Sequence, residues 1–409
     1  MGASGDRASI RVSETPTAPE PFKVRSLTRS VYVPGILFAI GQGAATPMIA
    51  LVALDLGASP ALAGLIVALR GIGTFLFDIP AGMLVSRVGE RRAMMIATVA
   101  LSLVALGVAL GPSLPLYAVL IFLMGGAWSV WALARLTFAT EATPQGHRGR
   151  VMSMVGGSMR IGQFIGPLLG GLVVIPLGLS GPFLAQAVLA VAAAVTLGLA
   201  PGLTGAAGGL STPVPMRDVL RDHRRTLGTA GFVAVTFQVL RTARQAIIPL
   251  WGDQLGLSPS QISLIFAASS GVEMAIFYPV GMLMDRRGRR WAAIPSLVLL
   301  SVGMVLIPFT SGFAGLLAVG LLLGLANGFG SGINLTLGSD LSPIAGRNEF
   351  FGMWRLVTDV GTAGGPFLVA VVTSLISLAA APIAVAGVGL VGAAVMWKSV
   401  PETLQVDLE

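Results

Sequence analysis

The sequence predicts an all-α membrane protein, with twelve transmembrane helices in two pseudo-symmetric six-helix bundles around a central cavity. Two features of the whole chain lead to this fold class: an apolar composition and an internal repeat. Of the 409 residues, 54% are hydrophobic and only 11% are charged, whereas about 25% of residues are charged in soluble domains. The mean hydropathy of +0.85 also indicates a membrane protein.

Twelve apolar segments, each of roughly 19 to 25 residues, follow a polar start. Because a helix rises 1.5 Å per residue, each segment is long enough to cross a hydrocarbon core of about 30 Å. Residues 1–28 mix Ser, Thr, Pro and charge, which predicts a disordered tail, and residues 399–409 predict a second tail. The predicted spans are 31–54, 61–85, 93–111, 116–140, 151–174, 182–200, 227–250, 260–284, 292–310, 314–339, 350–373 and 376–397.

The basic residues predict the orientation. With twelve crossings, 20 of the 26 Lys and Arg residues fall in tails and loops on one side, six lie within spans, and none falls in a loop on the other side. Positively charged loops remain in the cytoplasm, so we expect both termini to be cytoplasmic in the cell inner (plasma) membrane. This orientation explains the net charge of +8 without nucleic-acid binding.

The longest connection, residues 201–226, divides the chain into predicted bundles at 29–200 and 227–398. It begins with a Gly/Pro-rich stretch and continues with Met216, Val219 and Leu220 among basic residues. This pattern predicts a surface amphipathic helix near anionic lipid headgroups.

A shift of 199 residues aligns the two halves without a gap. PAGMLVSRVGERR at 80–92 aligns with PVGMLMDRRGRRW at 279–291, and seven of the thirteen positions are identical. Such a duplication is typical of secondary transporters, whose halves move about a central site. Further aligned pairs are Gly82 with Gly281, Arg87 with Arg286, Gly162 with Gly361, Gly166 with Gly365, and Pro167 with Pro366.

Two motifs resemble those of a known family. GMLMDRRGRR at 281–290 is similar to the loop signature GxxxDRxGRR of the major facilitator superfamily, and RIGQFIGPLLGG at 160–171 resembles the GxxxGPxxGG motif of its antiporters. The chain thus resembles a twelve-helix member of that family, of the drug/metabolite:proton antiporter type. The resemblance implies that spans 1, 4, 7 and 10 line the cavity, while span 2 packs on span 11 and span 5 on span 8.

The resemblance also implies a cytoplasmic gate at Asp285, Arg286 and Arg87, although Ser86 and Glu90 depart from the motif in the first half. At Gly82 and Gly281 we expect the ends of two helices to approach their neighbours closely. In the fifth span we expect a bend and a close packing seam, as part of either the coupling machinery or an ordinary helix contact. The seam residues are Gly162, Gly166, Pro167 and Gly170.

Ionisable residues inside a membrane cost about 2.5 to 3.5 kcal/mol at a helix centre, so they usually face a partner or the bundle interior. Arg160 in span 5 and Glu273 in span 8 lie at depths that differ by about 3 Å, which predicts an ion pair between the halves. The alternative is that each charge contacts a backbone carbonyl or water.

Span 2 carries Asp78, which by the same depth argument meets Arg355 or lies near Asp359 in span 11. Arg70 in span 2 is a further candidate for a gate or ion pair.

Polar residues on one face of several spans predict a solute cavity. In spans 4 and 10 the repeat aligns two pairs of positions at seven-residue spacing, which is one face of a helix. An electropositive cavity without a mid-helix acid should favour an anionic or zwitterionic solute, while the tryptophans either stack on the solute or pack in the core. The candidates are Trp128, Trp131, Arg135, Gln238, Arg241, Arg244, Gln245, Asn327 and Asn334.

The sequence predicts a transporter and not an enzyme. Cysteine is absent, both histidines lie in polar connections, and no GxxxxGK[ST] phosphate loop is present, so we expect no cofactor, metal or nucleic acid. A membrane enzyme or sensor is the remaining alternative from another class.

We expect a monomer in the lipid bilayer that couples a small-molecule substrate to protons through Asp78, Glu273 and Asp359. Efflux of an amphiphilic or anionic compound, of the multidrug-resistance type, is the leading prediction. Uptake or exchange of an organic anion is the alternative.

Overall fold

The computed structural model describes residues 27–200, 216–343 and 346–403, and these form helices and turns without a strand. Most of the predicted tails and the 201–215 part of the linker lie outside the described residues. The α-helices are α1 (Val33–Ala45), α2 (Met48–Asp55), α3 (Pro60–Val88), α4 (Glu90–Ala109), α5 (Leu114–Glu141), α6 (Arg148–Leu177), α7 (Gly181–Leu199), α8 (Met216–Gln254), α9 (Pro259–Arg287), α10 (Arg290–Leu306), α11 (Gly312–Phe329), α12 (Ile333–Asp340), α13 (Arg347–Leu375) and α14 (Ala380–Ser399).

The helices agree with the predicted spans. Nine helical stretches in the described part of the chain are long and apolar enough to cross a membrane, and a bent pair that ends with α2 makes ten. One of the nine, residues 149–199, contains both α6 and α7, and α8 is a further long helix whose arginines lower its hydropathy. When residues 149–199 are counted as two spans, and the bent pair and α8 as one span each, the described helices provide the twelve predicted spans and confirm the fold class.

Two of the spans are broken. The first bends by 41° between α1 and α2, where Pro47 has no N–H to donate to the helix. The tenth breaks between α11 and α12, where Gly332 adopts a left-handed conformation with φ of +86°. Both breaks lie beside the central cavity.

The helix α8 begins at Met216 and loses helical geometry at His223 before it continues into the seventh span. Val219 is buried and Leu220 is exposed in this initial segment. The surface amphipathic helix of the linker and the domain boundaries stay predictions.

The two halves repeat the same close helix contacts in the 199-residue register. The contacts are made at three glycines of each half, named below. An added Cβ at any of them would collide with the neighbouring helix, so the backbones touch. The halves are therefore related by a pseudo-twofold axis in their packing as well as in their sequence. The matching contacts are Gly162 with Ala39 and Gly361 with Gln238, Gly166 with Gly43 and Gly365 with Thr242, and Gly125 with Arg70 and Gly324 with Ser269.

Between the halves, α3 packs on α13 and α6 packs on α9, as the family resemblance implies. The close contacts lie away from the basic loops: Gly64 meets Ala370 and Gly71 meets Ala363. Toward the basic loops, an added Cβ on Gly156 would have no atom within 4 Å. Away from the basic loops the halves are thus packed against each other at these glycines, and toward the basic loops they leave open space at Gly156, which is the inward-open arrangement in the predicted orientation.

The close helix approach expected at Gly82 and Gly281 is absent. A Cβ on Gly82 would lie 4.0 Å from Leu133 of its own half, and one on Gly281 would meet nothing within 4 Å. The prediction of a close approach is therefore wrong for this conformation.

Candidate functional site

A cavity of about 460 Å³ lies between the halves, within the usual range for small-molecule sites. Helices α1, α3, α5 and α6 line it from the first half, and α8, α9, α11 and α12 from the second. Gln245 lines a smaller adjoining cavity together with Arg70 and Trp128. The predicted residues that line the main cavity are Trp128, Gln238, Arg241, Arg244, Asn327 and Asn334.

Arg135 and Trp131 do not line the cavity, contrary to prediction. Arg135 is 3% exposed and donates to the hydroxyl of Ser158 on α6. Trp131 is buried, and its ring stacks on Phe38 with centroids 3.9 Å apart. Both side chains point into the core of the first bundle.

The helix break in the second half explains this difference. Asn334, which the repeat aligns with Arg135, lies on α12 and reaches the cavity. A new helix, α12, begins after the turn at Gly332, whereas α5 continues without a break through position 135. The prediction that residues seven positions apart share one face holds only where the helix is continuous in both halves.

Arg70 lines the cavity, although the sequence suggested a gate. Its guanidinium donates to the side-chain oxygens of Thr46 at 3.0 Å and Gln42 at 2.7 Å. The Nε2 group of Gln42 is buried and has no hydrogen-bond partner. This cluster ties α3 to the bend of the first span.

Two arginines of α8 occupy the opposite wall. Arg241 donates from Nε to Asn327 and from Nη2 to the carbonyl of Gly330, both at 2.6 Å. That carbonyl is available because the helix is broken there. Arg244 donates to the hydroxyl of Ser269 at 3.1 Å, and its Nε is buried without a partner.

The predicted ion pair between Arg160 and Glu273 is present, with a nitrogen to oxygen distance of 3.4 Å. Glu273 also accepts a hydrogen bond from Asn327, and Arg160 lies 3.8 Å above the ring of Phe277. Glu273 is 9% exposed, and its carboxylate is held by Arg160 of the first half and Asn327 of the second half.

The cavity is strongly electropositive. Four guanidinium groups line it against one carboxylate, that of Glu273. The sequence had predicted a cavity without a mid-helix acid, and Glu273 corrects this expectation. The excess of three positive charges favours anionic ligands. The four are Arg70, Arg160, Arg241 and Arg244.

A second charged cluster joins α3 to α13. Arg355 donates to Asp78 at 2.7 Å and lies 3.6 Å from Asp359, so two carboxyl groups share one guanidinium. Ser129 also donates to Asp78, whose second oxygen is buried without a partner.

The predicted gate residues Arg87, Asp285 and Arg286 are exposed and form no ion pair among the described residues. The loop is held instead by Arg289, which binds Asp340 at the end of α12 at 2.8 Å.

The loop arginines that the repeat aligns have equivalent roles. Arg91 binds the carbonyl of Ala200 after α7 at 2.6 Å, and Arg290 binds that of Val400 after α14 at 2.9 Å. Both donate hydrogen bonds to carbonyl groups at the C-terminal end of a helix, where positive charge is favourable.

Sequence reasoning missed the small polar partners Gln42, Ser129 and Ser269. Their only signal was a polar residue within an apolar span, which does not reveal its contact.

Comparisons with known proteins identify the family. The model of the Major Facilitator Superfamily matches residues 32–244 and 230–408. No curated protein matches significantly.

Three solved structures share the fold with low sequence identity. A D-xylose–proton symporter has a TM-score of 0.73 at 15% identity, covering 93% of this chain and 98% of its own. The xylose transporter XylE from E. coli, in a partially occluded inward-open conformation, has a TM-score of 0.73 at 16% identity, with coverages of 94% and 99%. The nucleoside transporter NupG has a TM-score of 0.72 at 13% identity, with coverages of 93% and 100%. The chain is therefore a multi-pass membrane transporter, not an enzyme, and belongs to the major facilitator superfamily.

Proposed function

We propose that this chain is a secondary active transporter that couples protons to the movement of small organic anions. The excess of guanidinium groups in the cavity carries this proposal. A buried charge without a counter-charge is costly, and Glu273 can balance only one of the four arginines. An anionic solute would balance others, whereas a cationic drug would be repelled. The predicted substrates were amphiphilic or anionic compounds, and the cavity favours the anionic ones.

Asp78 and Asp359 are the proposed proton-coupling residues. Two carboxyl groups beside Arg355 can hold one proton without a net charge, because a like charge nearby disfavours the second ionisation. Their cluster joins α3 to α13, so a change in its charge acts on the contact between the halves. Protonation of Glu273 would instead break its bonds to Arg160 and Asn327.

The proposed direction is efflux, with a proton entering as the anion leaves. The Gly/Pro motif of the fifth span supports it, because it resembles the motif of antiporters. Uptake by proton symport is the alternative, and the cavity arginines support both directions equally.

Purified protein in proton-tight vesicles tests the proposal. We expect an imposed pH gradient to drive flux of labelled organic anions and not of a labelled organic cation, and the sign of the gradient that drives uptake to distinguish antiport from symport. Vesicles without protein are the control. Cation flux without anion flux would contradict the proposal.

A further inference from the structure

We infer that the cavity binds a dianion, such as an aliphatic dicarboxylate, with one anionic group in each half of the protein. This inference rests on the proposed function and names the substrate class within it. It depends on three observations: the symmetric placement of two guanidinium groups, a free buried donor beside each, and the neutral character of their present partners.

The first observation is the placement of Arg70 and Arg244. The residue 199 positions after Arg70 is Ser269, and Arg244 binds the hydroxyl of Ser269 at 3.1 Å. The backbone around these positions is equivalent, because Gly125 packs on the carbonyl of Arg70 as Gly324 packs on that of Ser269. Each guanidinium therefore bridges the first and second spans of its own half.

The second observation is a free donor on each side. Gln42 is 6% exposed and its Oε1 accepts from Arg70, which leaves its Nε2 buried without a partner. A guanidinium has no acceptor, so this orientation of the amide is fixed by chemistry. On the other side the Nε of Arg244 is buried without a partner. Buried donors without acceptors are rare in folded proteins. Gln42 and Arg244 both line the cavity, where an oxygen of a ligand would supply the acceptor.

The third observation concerns the charge balance. Arg160 is paired with Glu273, and Arg241 is linked to the same carboxylate through Asn327. Arg70 and Arg244 contact only neutral groups: an amide and two hydroxyls. A carboxylate provides two acceptor oxygens and one negative charge, so one carboxylate on each side satisfies both the donor and the charge.

A dianion that contacts both halves would also promote their closure. Open space remains at Gly156 toward the basic loops, and a ligand held by Arg70 and Arg244 gains contacts when the halves approach there. A monoanion binds one half and gives no such gain. A ligand shifts a conformational equilibrium only through a difference in its affinity for the two states.

Titration calorimetry of the purified full chain in detergent tests the inference. The panel contains linear dicarboxylates of four to eight carbons, monocarboxylates of equal length and their neutral methyl esters. We expect at least one dicarboxylate to bind about tenfold or more tightly than the matched monocarboxylate, and the esters not to bind. Equal affinities for the dicarboxylates and the matched monocarboxylates would overturn the inference of a dianion but not the proposal of anion transport. Binding of esters but of no carboxylate overturns both.

Arginine variants locate the two anionic groups. In Arg70→Gln and in Arg244→Gln we expect the preference for the dicarboxylate to disappear while the monocarboxylate still binds, because the other of these two guanidinium groups remains. Arg217→Gln is the matched control, since that side chain is 88% exposed and lies outside the cavity. Retention of the preference in both cavity variants overturns the inference. If either variant fails to fold, the ligand panel on the unmodified chain decides.

Discussion

Arg160 of the first half and Glu273 of the second half form an ion pair inside the membrane at 3.4 Å, between α6 and α9. Asn327 supports the carboxylate from a third helix. The pair joins the two halves, which move relative to each other during transport. The contact must therefore either break or lie close to the point about which the halves rotate.

Removal of one partner of this pair should destabilise the protein more than removal of both. We expect Glu273→Gln to lower the free energy of unfolding by about 3 to 5 kcal/mol, because it leaves Arg160 without a counter-charge. The double variant with Arg160→Gln should lose less free energy of unfolding than the two single variants lose together. This difference is the coupling energy of the pair, and denaturation in detergent measures it.

The exposed pair Arg217 and Asp218 is the control for this cycle, with nitrogen and oxygen 3.7 Å apart and 88% and 35% of the side chains exposed. Its coupling should be close to zero. Equal coupling in both cycles would show that the Arg160–Glu273 contact adds nothing.

Neutralisation of either carboxyl group beside Arg355, Asp78 or Asp359, should uncouple transport from the proton gradient. In Asp359→Asn the bond from Arg355 to Asp78 can persist, so we expect a folded protein that exchanges anions without a pH gradient. The measurement is gradient-driven flux compared with anion counterflow in the same vesicles.

The control for this experiment is Asp253→Asn, which removes an exposed acid at the end of α8. Unchanged gradient-driven flux in both Asp359→Asn and Asp78→Asn would place the proton elsewhere, with Glu273 the next candidate.

The glycine seam of α6 should tolerate no larger side chain. A Cβ on Gly166 would collide with Gly43 of α1, so we expect Gly166→Ala to lower the free energy of unfolding by about 1 to 3 kcal/mol. Gly157→Ala on the same helix is the matched control, because its Cβ would meet nothing within 4 Å. Thermal unfolding compares the two, and equal stabilities would exclude the tight seam.

The open face can be mapped by thiol labelling, because the chain has no cysteine. We expect Gly352→Cys to react with a membrane-impermeant maleimide added to the basic face, since an added Cβ there has open space. Gly64→Cys, packed against Ala370, should remain unlabelled. Protection of Gly352→Cys by a transported anion would follow from closure, and labelling only from the opposite face would reverse the predicted orientation.

Much of the fold was determined by the sequence alone. The apolar segments predicted the spans, because a membrane leaves few alternatives to a helix of that length. The 199-residue register predicted which residues are equivalent. A fixed rise per residue predicted that Arg160 meets Glu273 and that Asp78 meets Arg355 or lies near Asp359.

Only the tertiary structure decided which way each polar side chain faces. Arg135 and Asn334 share a register position, yet one lies in the core and the other in the cavity. Arg70 proved to line the cavity, where it donates to Thr46 and Gln42 beside the bend at Pro47. A helix that is apolar on all sides does not reveal its rotation through its own sequence. Rotation depends on backbone contacts at glycines and on breaks such as Gly332, and these are properties of the packed bundle.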